Sequence, residues 1–460
     1  MPIGRLKRAV KARLGERGGL LHSVGTLVGG TAFAQGLAVL ALPVLTRLYT
    51  PAEFSVLAVY ASLLGILSVV ACLRLEIAIP LPERDEDAAN LLALSLASGL
   101  VLSLLVALGV LLFHGQITAA LRVPAFSPYI WMVPVGMWLA SAYAAFQFWS
   151  TRKKKFSRIA RTRMTQALGG VGLQGIAGAL GAGPLGLLLG HMFSGGAGFV
   201  GLARDAWKHD RAALHAVAPA SMRVVLRQYS RFPKYSALEA LANTAGSQVP
   251  VILIAALAIG PEAGYLMLAT RVMAAPMSLV GGSVAQVFLA HAPEELRAGR
   301  LGEFTARILG GLLKTGVGPL LFAALVAGPL AGILFGKNWA RAGELVAWMT
   351  PWFILQFLAS PVSMVMHVTG RQRQMLAVTI TGLVLRVGAM LIAYEWSRSE
   401  LAEIFALSGG IFYLLCCVIF YRVAGIGGMN VARVVKGAIR PLLFWLLAGL
   451  AVNWAVRAIL

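Results

Sequence analysis

From Leu20 almost to its end the chain alternates long apolar blocks with short polar interruptions. About 20 apolar residues in a helix match the hydrocarbon core of a bilayer, and these blocks lack the period-two alternation of a barrel strand. The pattern therefore predicts helical spans over Leu20–Leu45, Phe54–Leu73, Ala88–Phe113, Pro128–Trp149, Met164–Leu180, Leu185–Ala203, Tyr235–Ile259, Gly264–Ala290, Thr305–Phe335, Glu344–His367, Met375–Tyr394, Leu401–Tyr421 and Pro441–Ile459. The longest polar interruption, 204–234, separates six spans in 20–203 from six in 235–421, and 422–460 holds a loop and the thirteenth. The expected fold is thus all-α, a polytopic membrane protein of about 13 transmembrane helices, with two six-helix lobes around a central cavity and an extra C-terminal helix. The turn Thr50-Pro51-Ala52-Glu53-Phe54-Ser55 before the second span has an echo in Gly260-Pro261-Glu262-Ala263-Gly264 before the eighth. Those two spans run in the same sense, so a repeat would be parallel, about an axis along the membrane normal.

Composition agrees with the pattern. Of 460 residues 58% are hydrophobic and 13% charged, against roughly 25% charged in soluble domains. The net charge of +22 raises the question of nucleic acid, and the placement of the charges answers it. With the basic segment 1–19 inside, 30 of the 40 Lys and Arg fall in inner segments, 6 in outer ones and 4 within spans. That asymmetry is the positive-inside rule, and no basic patch interleaved with aromatics on a soluble module suits nucleic acid. The N-terminal apolar stretch is too long for a signal-peptide core and is taken as a retained first span. Cys72, Cys416 and Cys417 lie in apolar stretches, which offers no disulfide framework.

Charges at bilayer depth cost about 2.5–3.5 kcal/mol each on insertion scales and usually face a polar interior. Arg271, Lys314, Arg386 and Glu239 are such residues, all in the second half. At 1.5 Å per residue Arg386 lies about 17 Å past Met375 and Arg271 about 10 Å past Gly264, whereas Glu239 and Lys314 are near enough to a span end to snorkel. Ser236, Glu239, Asn243 and Ser247 share one face of the seventh span, followed by Gln248 and a Pro250 that should kink it. Arg271, Ala275, Ser278, Gly282 and Gln286 share a small or polar face of the eighth, which either lines a cavity or packs closely. The first half offers Gln35, Gln147, Gln166, Gln174 and His191, polar but mostly uncharged, so the cavity should be cationic on one wall. No phosphate loop, HExxH pair, CxxC pair or GxSxG elbow occurs, and the histidines lack ligand spacing. No cofactor or metal is expected. The acidic run Glu83–Asp87 reads as a solvated turn, and the outer acids Glu53, Glu262, Glu344, Glu395 and Glu400 as scattered.

Four stretches carry a family resemblance. They are Thr46-Arg47-Leu48-Tyr49-Thr50-Pro51-Ala52-Glu53-Phe54 with 73–80 after it; Pro233-Lys234-Tyr235 through Gln248-Val249-Pro250; Gly264-Tyr265-Leu266, Ala269-Thr270-Arg271-Val272, Pro276 and Gln286-Val287-Phe288; and Leu334-Phe335-Gly336-Lys337-Asn338-Trp339 with Gln356-Phe357 and Pro361. In order and spacing, over roughly 20–425, the chain resembles Wzx-type O-antigen and polysaccharide flippases of the multidrug/oligosaccharidyl-lipid/polysaccharide exporter superfamily. The resemblance implies a transporter, not an enzyme, that alternates between inward- and outward-open forms. It would move polyprenyl-diphosphate-linked oligosaccharide from the inner to the outer leaflet of a bacterial inner membrane, driven by an ion gradient, with its N-terminus cytoplasmic. Glycan polymerase and glycosyltransferase partners would accompany membrane lipids, and nucleic acid would not. The thirteenth span departs from the even helix count of the family.

On that footing Arg271, Lys314 and Arg386 are candidates for the diphosphate, and Arg47 and Arg74 for gating or receiving the headgroup. The alternative for Arg74 and Glu76 is an interfacial ion pair. Glu239, the only acid clearly inside a span, is the candidate for ion coupling, and Asn243, Gln248, Gln286 and Gln35 for the polar lining. Two other functions differ in class: a small-molecule or drug antiporter of the same superfamily, with a smaller and more acidic cavity, and a non-transporting scaffold of a glycan polymerase.

Overall fold

The computed structural model describes residues 25–26 and 29–459; the basic segment 1–19 and the start of the first expected span lie outside the described residues. Among these the secondary structure is helical, with no strand. The long helices are α1 (Gly29–Leu48), α2 (Pro51–Ala71), α3 (Asp85–Leu121), α4 (Met132–Arg152), α5 (Phe156–Ala179), α6 (Pro184–His209, broken after Gly196), α7 (Phe232–Leu257), α8 (Glu262–Arg297), α9 (Leu301–Leu334), α10 (Lys337–Ala359 with Val362–Val368), α11 (Gln372–Trp396), α12 (Leu401–Ala424) and α13 (Gly428–Ile459). They occupy the places of the thirteen expected spans. Among the described residues nine are long and apolar enough to cross a bilayer, or ten when the two parts of α10, bent by 43°, count as one. Helices α4, α5 and α8 are not among them, and part of α8 lies outside the residues searched. Helices α3 and α8, with 37 and 36 residues, are about 55 Å long and overrun a hydrocarbon core of about 30 Å. Leucines 100, 104, 108 and 111 of α3 are exposed, the apolar outer surface that lipid requires.

Two lobes result. In the first, Leu42, Phe54, Tyr60, Met137 and Leu187 share one apolar core; in the second, Leu345, Phe353, Met390, Phe405 and Phe420 share another. Between them α2 packs along α7 and α8. The extra helix α13 lies on α9, with Trp445 edge-on to Phe322 and Asn453 donating to the Leu325 carbonyl at 2.6 Å.

The bundle has a far end, where α1 turns into α2, and a basic end, where α4 turns into α5. At the far end Thr50 caps α2: its hydroxyl accepts from the Glu53 amide, the Glu53 carboxylate accepts from the Thr50 amide at 2.7 Å, and Pro51 fills the first turn. This capping box satisfies donors that a helix start otherwise leaves unpaired. The second lobe closes onto that turn. Trp339, 1% exposed, donates its indole N–H to the Thr46 carbonyl at 3.0 Å and stands edge-on to Phe54 at 4.8 Å. Arg47 donates to the Ile333 carbonyl at 3.0 Å. The Gly264 amide donates to Ser55 Oγ at 2.8 Å, and a Cβ at Gly264 would lie 2.0 Å from the Pro51 carbonyl oxygen, so only glycine permits this approach.

At the basic end the run 83–87 is exposed or part-exposed, in keeping with its composition, but Asp85 in it is tied into a network. Arg152 bonds Asp85 at 2.9 Å and the carbonyls of Pro82 and Glu83, and Lys153 also reaches Asp85. Lys155 bridges Asp205 and Asp210 of the α6 end at 2.9 and 3.2 Å. Burial works against the Lys155 charge, but the two aspartates outweigh it and raise its pKa, so it stays protonated at neutral pH.

Two of the far-end acids, Glu262 and Glu344, are not scattered, whereas Glu53, Glu395 and Glu400 stay apart from them. Arg341 of α10 binds Glu262 of α8 at 3.1 Å and Glu344 at 3.0 Å, and its other nitrogen bonds Glu403 of α12. Glu262 and Glu403 are buried, so removing the guanidinium strands two carboxylates. Arg341→Ala is expected to cost about 3–5 kcal/mol, seen as a lower melting temperature of the purified protein. Adding Glu403→Gln should recover part of the loss.

Candidate functional site

A cavity of about 630 Å³ lies in the first lobe between α1, α4, α5 and α6, and α8 of the second lobe contributes Arg271 to its wall. Helical periodicity assembles it. Thr31, Gln35 and Ala38 share a face of α1, Tyr143 and Gln147 a face of α4, and Arg163, Gln166 and Gln174 a face of α5. His191 and Ser194 come from α6. The contacts of Trp339, Gly264 and Arg47 lie at the far end, and the lining runs from Leu45 and Gln174 near that end toward the basic end, where Gln147 and Arg163 lie.

The chemistry is that of donors. Arg163 bonds the Thr31 hydroxyl at 2.7 Å. Gln174 donates to the Leu187 carbonyl at 3.2 Å, while the side-chain nitrogen of Gln166, a residue only 4% exposed, has no partner. Arg271 has no hydrogen bond or ion pair among the described residues, and no carboxylate is in the lining. Two guanidiniums, an imidazole and several amides therefore surround a space without a counterion. No group of His, Cys, Asp and Glu able to hold a metal occurs among the described residues.

Of the residues singled out in the sequence, the structure brings Arg271 and Gln35 to this cavity. It places the other two deep cations elsewhere. Arg386, 5% exposed, donates to the Gly382 carbonyl at 3.1 Å and stacks over Phe412 of α12 at 4.4 Å. The pair shields its charge within the second lobe, so Arg386 does not form a cavity wall with Arg271. Lys314 lies in a separate groove between α9 and α13. Arg47 belongs to the far-end closure.

Arg74, in a left-handed turn (φ 60°) at the basic end, lies 3.8 Å from Glu76. Burial pushes the Glu76 carboxyl above the ordinary carboxylate range, and its own backbone hydrogen bond and Arg74 offset only part of that. Glu239 and Asn243 are exposed on α7. Gln248 faces Gly65 of α2, across the lobe boundary. Gln286 is in α8, with its side chain outside the described residues. Sequence reasoning missed Arg163, which sits within the 152–163 cluster read as a topology signal; its spacing from Gln166 and Gln174 is what marks it as cavity-facing.

Comparison with known proteins bears on what such a cavity serves. A family profile described as polysaccharide biosynthesis protein matches residues 44–344, well over half of the chain. The chain belongs to this family. Its fold is similar to that of the lipid II flippase MurJ in an inward closed conformation, with a TM-score of 0.72 at 13% identity over 94% of this chain and 97% of that one. It is also similar to an inward-facing multidrug resistance MATE family transporter of the MOP superfamily, with a TM-score of 0.61 at 16% identity over 87% and 96%. At these identities the likeness is one of fold. No match was found among curated protein sequences.

The far-end closure gives a direct test. With the three native cysteines buried, a cysteine replacing His191 should react with a membrane-impermeant maleimide from the basic side alone. Trp339→Ala, which removes the indole donor and its ring contacts, should raise labelling from the far side several-fold.

Proposed function

We propose that this family member is a flippase for polyprenyl-diphosphate-linked oligosaccharide, carrying an O-antigen or exopolysaccharide repeat unit from the inner to the outer leaflet of a bacterial inner membrane. The basic end faces the cytoplasm, as the charge asymmetry requires. Family and fold both point to transport rather than to catalysis on a sugar. The observation that carries the reading is the acid-free lining with Arg163 and Arg271. A diphosphate is a multiply charged anion that hydrocarbon cannot solvate, and guanidiniums bind phosphate oxygens in fork geometry. Amides at Gln35, Gln147 and Gln166 suit the hydroxyls of the first sugars. Alternating access then closes the basic end and opens the far end by parting Trp339 from Thr46 and Gly264 from Ser55.

An ion gradient drives the cycle, with Glu239, exposed on α7, as the coupling carboxylate; Glu239→Gln should abolish the dependence on that gradient. A drug antiporter for organic cations shares the superfamily, but this lining holds cations where such cargo needs acids. A scaffold for a glycan polymerase has no use for an unpaired arginine at this depth.

The decisive experiment removes the gene from its bacterium and assays lipid-linked oligosaccharide on each leaflet with an impermeant glycan-modifying enzyme. Glycan should accumulate on the inner leaflet and be relieved by the wild-type gene. Arg271→Ala should lower transport at least tenfold, about 1.4 kcal/mol or more, while Arg386→Ala should lower the melting temperature with little effect on transport per folded molecule. Unchanged transport in Arg271→Ala would refute the cationic path.

A further inference from the structure

Lys314, a candidate for the central cavity, instead helps to form a second polar hollow. A groove of about 560 Å³ runs between α9 and α13, with Glu303, Arg307 and Lys314 on one side and Arg433 and Gly437 on the other. Three cations face one acid there. All four are exposed, and none has a hydrogen bond or ion pair among the described residues. Glycines line it on both sides: Gly437 of α13 lies opposite Lys314, and Gly310 of α9 opposite Val434. A π turn over Leu313–Val317 interrupts α9 at Lys314, the kind of local widening that re-aims a side chain and recurs at functional sites.

Depth identifies the surroundings. A hydrocarbon core of about 30 Å takes roughly 20 helical residues. Counted back from the far-end terminus of α9, Leu334, the apolar crossing ends near Lys314, and Arg307 and Glu303 project beyond it. The same count from the end of α13 reaches Arg440, leaving Arg433 outside the hydrocarbon. Both helices thus deliver their cations to the headgroup layer of the basic side. There an unpaired basic pocket between helices meets lipid phosphates, and each Lys or Arg near an anionic surface contributes about 1 kcal/mol.

We propose that the groove between α9 and α13 is a binding site for a lipid phosphate headgroup, held by Arg307, Lys314 and Arg433 and distinct from the central cavity. The phosphate comes from an anionic phospholipid of that leaflet or from a polyprenyl diphosphate. The acid Glu303 at its rim favours the glycerol hydroxyls of a headgroup over a bare inorganic ion. The site ties α13 to α9 at the membrane surface, about one helical turn from the contact of Trp445 with Gly318.

Native mass spectrometry of the full-length protein in detergent, titrated with dioleoyl phosphatidylglycerol or dioleoyl phosphatidylcholine, tests this. The wild type should prefer phosphatidylglycerol at least tenfold, and Lys314→Ala with Arg433→Ala should erase the preference while elution and melting behaviour stay normal. Lys314→Gln with Arg433→Gln should do the same, with more of the side-chain volume kept. Arg271→Ala should keep the preference, so this outcome is independent of the flippase reading. Undecaprenyl diphosphate serves as the second probe. If it displaces phosphatidylglycerol from the wild type, the carrier lipid is the source of the phosphate; if it does not, the bilayer lipid is, and either result supports the site. Equal binding of the two phospholipids by the wild type, or a preference that survives both double variants, would overturn it.

Discussion

A guanidinium inside a bundle that lipid surrounds needs a counterion, a ring, water or a ligand, because the medium around it solvates no charge. The second lobe meets this demand twice with its own side chains. Arg341 gathers Glu262, Glu344 and Glu403, and Arg386 lies over Phe412 with a backbone carbonyl as acceptor. Arg271 has neither arrangement, and the helices around it supply further donors instead of acids. This local imbalance marks the cavity: polar faces on α1, α4 and α5 turn toward a space that, on the proposed reading, an anionic cargo would neutralise. The polarity has a cost in apolarity, since α4 and α5, which carry much of that lining, are not among the described helices apolar enough to count as spans. They are sheltered by neighbours that do.

The closure of the far end rests on contacts between the lobes. The polar contacts that join the lobes there include the indole hydrogen bond, the Arg47 and Gly264 bonds and Arg122 with the Tyr394 hydroxyl at 3.4 Å, beside the edge-on ring pair, and Leu268, Trp339 and Ala342 of the second lobe are buried in the apolar core of the first. Net hydrogen-bond contributions are about 1 kcal/mol each, so the polar part of the closure is modest. The basic end of the first lobe is different in kind. Asp85, Asp205 and Asp210 are tied to Arg152, Lys153 and Lys155 in a network that joins α3, α4 and α6. Those ties lie within one lobe, which lets it move as a body while the contacts between lobes exchange.

The architecture was legible in the sequence because lipid imposes apolarity on every exposed helix face, and thirteen such segments were marked by their polar interruptions. Depth was legible too, from residue counting. Azimuth was not. Arg386 and Arg271 are both far inside their helices, but which side each presents depends on the neighbours of α11 and α8, and a neighbouring Phe412 is invisible to a count along the chain. For Lys314 the sequence left open a cavity-facing or a snorkelling side chain, and the structure sets it in a groove between α9 and α13. Arg163 was hidden by its charge: beside the basic loop it looked like a topology signal, and only its period with Gln166 and Gln174 separates it from Arg161, which is exposed. Asp85 and Glu262 looked solvated or scattered because their partners, Arg152 and Arg341, lie some 60 to 80 positions away in the chain.

Charge pairing across a whole membrane protein thus divides its cations differently from depth. A cation with carboxylates or a ring around it, such as Arg341 or Arg386, is already neutralised or shielded, and a ligand would have to displace those partners at the cost of leaving them buried and alone. A cation without them gains the full interaction when an anion arrives. By that criterion Arg271 at the cavity and the Arg307, Lys314 and Arg433 set at the headgroup layer are among the cations left free in the described residues. The first faces a closed space between lobes and suits a travelling anion. The second faces the leaflet and suits a resident one, so the same residue chemistry serves transport in one place and anchoring in the other.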